Sequence, residues 1–175
     1  MPRPTLIPLV LLPLAACRPP GGSNGRSADG SLAVDWTGSA AGHFSAPAEA
    51  RWCPGDTLLE VIAVRNDTAV GFSLMPRSSI EPGEYPIQSV SHASPDRPQA
   101  GVAVRWFAEN EILPFEAAGG TIRVTADGSG RLSGTLRGEL RRQLARDSLH
   151  LVGSFSRLAV RRAASECGRA ARPGG

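Results

Sequence analysis

Between Leu32 and Val160 a two-residue apolar period dominates, and Gly, Pro, Asn or Asp interrupts the pattern about every 8 to 12 residues. A period of two puts alternate side chains on opposite faces of an extended chain, which is the signature of strands buried on one side. No stretch alternates strand patterns with long helical ones, so a parallel sheet with crossover helices is excluded. The expected fold is all-β: a single antiparallel β-sandwich or a small closed β-barrel of about eight strands.

The segments carry this reading in detail. Leu32, Val34 and Trp36 share one face, as do Val70, Phe72 and Leu74, and Val102, Val104 and Trp106. Residues 57–65, TLLEVIAVR, are apolar on both faces and suit a central strand, and Asn66-Asp67 turns the chain into AVGFSLM. The clearest hairpin is GGTIRVTADGSGRLSGTLRGEL: DGSG makes the turn, and Leu132, Gly134, Leu136, Gly138 and Leu140 line one face of the return. Interior glycines weaken a strand but permit tight curvature. In SLHLVGSFSRLAV the apolar phase changes after Phe155, which predicts a bulge near Ser156. RRQLARDS reads as one helical turn or a polar loop. SHASPDRPQA is a loop rich in breakers, and AENEILPFEAAGG is irregular.

The N-terminus reads differently. Residues 5–16, TLIPLVLLPLAA, form an apolar run far short of the roughly 20 residues a spanning helix needs. With Arg3 before it and small residues after it, the run fits a secretory signal. Leu14, Ala15 and Ala16 lead directly into Cys17, and this L-A-A-C resembles the lipobox of bacterial lipoproteins. The resemblance covers residues 1–17. It implies diacylation of the Cys17 thiol, cleavage before it and acylation of the freed amine, so that several acyl chains hold the protein to membrane lipid. Arg18 at the following position, where Asp often directs inner-membrane retention in such lipoproteins, implies the outer membrane, facing the periplasm or the cell surface. The hairpin T-I-x-V-T-x-D-G-x-G-R-L-S-G-T with the later L-x-G-S-F is similar to the core of several small all-β bacterial lipoproteins of unknown function. The expected organisation is a signal peptide at 1–16, lipidated Cys17 with a Gly/Pro-rich tether to residue 30, a β domain at 31–167 and a disordered tail at 168–175.

Three cysteines are an odd count for an exported chain. With Cys17 carrying lipid, Cys53 and Cys167 remain for one disulfide. All 19 basic residues are arginine. They are spread unevenly, 7 against 12 acids over residues 18–120 and 11 against 4 over residues 121–175. The basic third reads as a solvated sheet face, with anionic headgroups as the alternative.

No HExxH, CxxC or phosphate-binding glycine loop occurs. DGSGR lacks the repeated carboxylates of a calcium loop. His43, His92 and His150 are too far apart in sequence to form a local metal motif, so no metal or cofactor is expected. Ser91, His92 and Asp96 lie close in sequence, but a triad is defined by spatial geometry. Trp36, Trp52 and Trp106 could stack on sugars if exposed; the phase of Trp36 and Trp106 puts them in the core. In ENEILPFE, the residues Ile112, Leu113 and Phe115 form either a partner-contact surface or a plug for one end of the domain. The expected protein is a lipid-anchored, non-catalytic binding or envelope-structural module, its partner an envelope protein and not nucleic acid. The alternative is a small barrel carrying an apolar ligand inside; a hydrolase stands third.

Overall fold

A computed structural model describes residues 30–55, 57–89, 97–108, 110–126, 128–142 and 145–163. Ten strands occur among them: β1 (Ser31–Gly38), β2 (Gly42–Cys53), β3 (Leu58–Arg65), β4 (Thr68–Met75), β5 (Gly83–Ile87), β6 (Gln99–Ala108), β7 (Glu111–Ala126), β8 (Leu132–Arg142), β9 (Ser148–Leu158) and β10 (Val160–Arg162). The order is β1-β9-β8-β7-β5-β6-β4-β3-β2, and β2 pairs back onto β1, so nine strands close into a barrel. Closure leaves no exposed sheet edge around the ring. Of the two architectures open to the sequence, the barrel is the one formed.

Most neighbours in the ring are antiparallel. The exception is β5, which lies between β6 and β7, parallel to β6 at Ile87↔Ala100 and antiparallel to β7. The first half of β7 pairs β6 directly, from Ala108↔Glu111 to Ala103↔Glu116. β7 therefore changes neighbours midway, and the change coincides with a register shift against β8 between Ala117 and Gly119. Gly120 there has φ +130, and a β-carbon on it would stand 2.2 Å from the Arg137 carbonyl oxygen. Only glycine fits that bend.

The period of two is realised inside the barrel. Leu32, Val34, Val61, Val104, Leu136 and Leu151 are all essentially inaccessible and belong to one continuous core cluster. The phase change in β9 is a bulge: Leu132↔Leu158 and Gly134↔Phe155 leave Ser156 and Arg157 opposite Ser133, with Arg157 at φ +54. The Arg157 N–H donates to the Ser133 hydroxyl at 3.0 Å. That extra residue lets Phe155 and Leu158, three positions apart, both face the core.

Two expectations change. AENEILPFEAAGG is not irregular: residues 111–120 belong to β7. Pro114 does not interrupt the strand: it pairs Arg105 of β6, between Leu113↔Trp106 and Phe115↔Val104. Of RRQLARDS, Arg141 and Arg142 extend β8 and no described residue is helical; Leu144 lies outside the described residues.

The barrel has two distinct ends. The chain enters at Gly30 on one of them, and β10 leaves on the same end, Val160 pairing Ala50 in parallel. The far end carries the tight connections β1–β2, β3–β4 and β6–β7. Asn66 supplies the left-handed residue of the β3–β4 turn at φ +54.

Candidate functional site

Around most of the ring the outward positions are polar. On β8 and β9 they are Thr135, Arg137, Glu139, His150, Ser154 and Ser156, with Val152 the apolar exception. The face made by β3, β4, β6 and the start of β7 is different. Its registers align Val64, Ala69, Arg105 and Pro114 in one row, and Ile62, Gly71, Ala103 and Glu116 in the next. Phe107 and Ile112 form a further cross-strand pair toward the far end. Of five exposed large hydrophobic side chains among the described residues, Ile62, Val64, Phe107 and Ile112 all stand on this face. Phe107 is 60 % and Val64 62 % exposed. Such clustering marks a contact surface, where scattered apolar residues would not.

The same face is concave. Ala69, Gly71 and Ser73 on β4, with Gly101 and Ala103 on β6, floor an open groove of about 410 Å³. Ile62 walls it from β3, its Cγ1 3.7 Å from where a Gly71 β-carbon would be. Glu116 and Arg105 wall it from the other side. Small side chains over two adjacent strands leave a trough because larger neighbours rise on either flank. Glu60 at one edge accepts a bond from Arg51 at 3.3 Å, and Glu116 is also engaged. Arg105 is exposed and makes no ion pair with any described residue.

The lumen, by contrast, is occupied. The Phe155 ring covers Gly134, where a β-carbon would meet its Cζ at 2.5 Å, and stacks at a tilt on Phe72 with centroids 4.9 Å apart. Gly138 has Ile87 Cδ1 3.4 Å from its β-carbon position. Thus interior glycines do not open space; side chains from across the sheet fill it. Toward the far end Trp36, Trp106 and Phe115 stack in sequence, with centroids 5.7 Å and 5.0 Å apart and planes 12° from parallel. The Trp36 indole lies over Gly42. These two tryptophans therefore pack on each other, and Trp52 is half-buried beside the core.

Of the residues singled out from sequence, Phe115 is 3 % exposed and belongs to the aromatic stack, Leu113 is half-buried, and Ile112 is 52 % exposed. The segment divides between core and surface within one strand instead of acting as a loop. Cys53 is fully buried at the end of β2; Cys17 and Cys167 lie outside the described residues, as do Ser91, His92 and Asp96. His43 is exposed and its Nδ1 lies 2.7 Å from an Asp35 carboxylate oxygen, while His150 is exposed on β9. No three His, Cys, Asp or Glu side chains gather into a metal-binding cluster among the described residues. Two other hollows are lined mainly by polar chains: one at the entry end with Arg131 and Arg157, one at the far end with Glu139, Arg146 and His150.

No family model, curated protein or solved structure matches this chain. The groove must therefore be read from its own chemistry. Its signal was present in TLLEVIAVR, apolar on both faces. In a sandwich or a barrel the second face of a strand stands in solvent, and here it carries Ile62 and Val64.

Proposed function

We propose that this protein is a lipid-anchored binding module of the bacterial cell envelope, without catalysis, whose working surface is the outer face of β3, β4, β6 and β7. The observation that carries this reading is the clustering of exposed apolar side chains over the groove, on a barrel whose interior is filled. A filled lumen favours the outer face over the interior as the place where a ligand or partner sits. Cys17 is the anchor, fixed to the outer membrane, and residues 18–29 form the tether. Because the chain enters at Gly30, Phe107 and Ile112 are carried toward the end away from the tether, a placement suited to meeting a partner.

A disulfide between Cys53 and Cys167 is part of the proposal. β10 runs alongside β2, and the Ala163 N–H donates to the Trp52 carbonyl at 2.8 Å. The chain is thus beside Cys53 only four residues before Cys167.

The test uses a photo-crosslinking amino acid placed at position 107 or, as a control, at position 135, in intact cells. Adducts are expected from position 107 alone; equal adducts from both, or none from 107, would overturn the reading. Anchoring is tested separately by Cys17→Ser, which should abolish fatty-acid labelling and release the protein from the membrane fraction. A variant that stays membrane-bound refutes the anchor.

A further inference from the structure

We infer that the groove on the outer face binds a single-chain aliphatic carboxylate, a free fatty acid, with the hydrocarbon along the trough and the carboxylate on Arg105. The inference deepens the proposed function and rests on its reading of this face as the working surface.

The dimensions favour one hydrocarbon chain. From Ala69 to Ser73 the floor spans four residue steps, about 13 Å at about 3.3 Å per step. A trough of that length and about 410 Å³ accommodates one extended acyl chain.

Hydrogen bonding points the same way. The floor is a sheet face, and the backbone groups of β3, β4 and β6 are spent on their own ladders. An extended peptide lying in the trough would gain no main-chain hydrogen bonds from the floor, whereas an aliphatic chain needs none. The floor offers Ala69, Gly71, Gly101 and Ala103, which suit methylene packing, with Ser73 toward one end.

Charge then chooses the head group. Arg105 stands at the end of the floor beside Ala69, and no carboxylate among the described residues pairs with it. Glu60 and Glu116 are already engaged, by Arg51 and by a partner of their own respectively. The Arg105 guanidinium, unpaired among the described residues, can donate two parallel hydrogen bonds to one carboxylate.

The experiment is calorimetric titration of dodecanoate, below its micelle concentration, into the full chain carrying Cys17→Ser, so that no detergent competes for the groove. Ala103→Phe fills the trough from outside, and Arg105→Gln removes the charge; both positions face outward, and unchanged thermal midpoints confirm folding. Saturable one-site binding is expected, abolished by Ala103→Phe and weakened about tenfold by Arg105→Gln, with dodecanol binding about tenfold more weakly than dodecanoate. No binding to the parent chain overturns the inference. Equal binding to the Ala103→Phe variant also overturns it, since the ligand then sits elsewhere. So does a dimer in sedimentation that Ala103→Phe breaks, because the occupant is then a second copy. Crosslinks at position 107 without dodecanoate binding would remove this inference and leave the proposed function standing.

Discussion

Phe155→Ala tests whether the barrel interior is solid. The ring is 2 % exposed, covers Gly134 on β8 and meets Phe72 from β4, so it bridges opposite sides of the ring. Truncating a buried Phe to Ala removes the transfer energy of the ring and leaves a cavity, for about 3 to 5 kcal/mol. About 0.5 to 1.5 kcal/mol of this belongs to the aromatic pair with Phe72. Gly134 has no side chain with which to fill the space, so the site cannot collapse and the upper half of the range applies. A domain of this size holds about 5 to 15 kcal/mol in all, so the variant should lose about a quarter or more of its stability. Urea unfolding followed by tryptophan fluorescence measures the loss, with Val152→Ala, outward on the same strand, expected within about 0.5 kcal/mol of the parent. A loss below about 1 kcal/mol with an unchanged denaturant slope would refute the reasoning. It would mean that Phe155 lines a yielding space, and an interior carrier would regain its case.

Two further outcomes are expected. Non-reducing peptide mass mapping should recover a Cys53–Cys167 linked pair, and Cys53→Ser should cost about 2 to 5 kcal/mol, the usual loss for a native bridge in an exported domain; unlinked peptides refute it. Gly120→Ala should destabilise by about 1 to 3 kcal/mol in thermal unfolding, because a β-carbon there is both at φ +130 and 2.2 Å from the Arg137 carbonyl oxygen. A neutral result would show that β7 does not need its bend.

Much of the fold could be read one strand at a time. The in-and-out order of Leu32, Val34 and Trp36, the Asn66-Asp67 turn and the bulge after Phe155 are all local, and each is as the alternation required. The misreading at AENEILPFE was local too: Pro114 and the acids look like a loop until β6 is known to run beside them. The candidate site was less legible. Ile62 and Val64 were visible as apolar residues, Arg105 as one arginine among 19, and Ala69, Gly71, Gly101 and Ala103 as ordinary small residues.

The sequence by itself determined that the chain forms strands, where they turn and which side of each is buried, because a two-residue period and turn chemistry act over neighbouring residues. Tertiary structure decided which strands are neighbours: β9 closing onto β1, β5 entering between β6 and β7, and β4 pairing β6 across a long connection. Those choices depend on contacts far apart in the chain, which no local period encodes. They turn Ile62, Gly71, Ala103 and Arg105 into one groove, since a side chain's meaning on an outer face depends on what stands beside it.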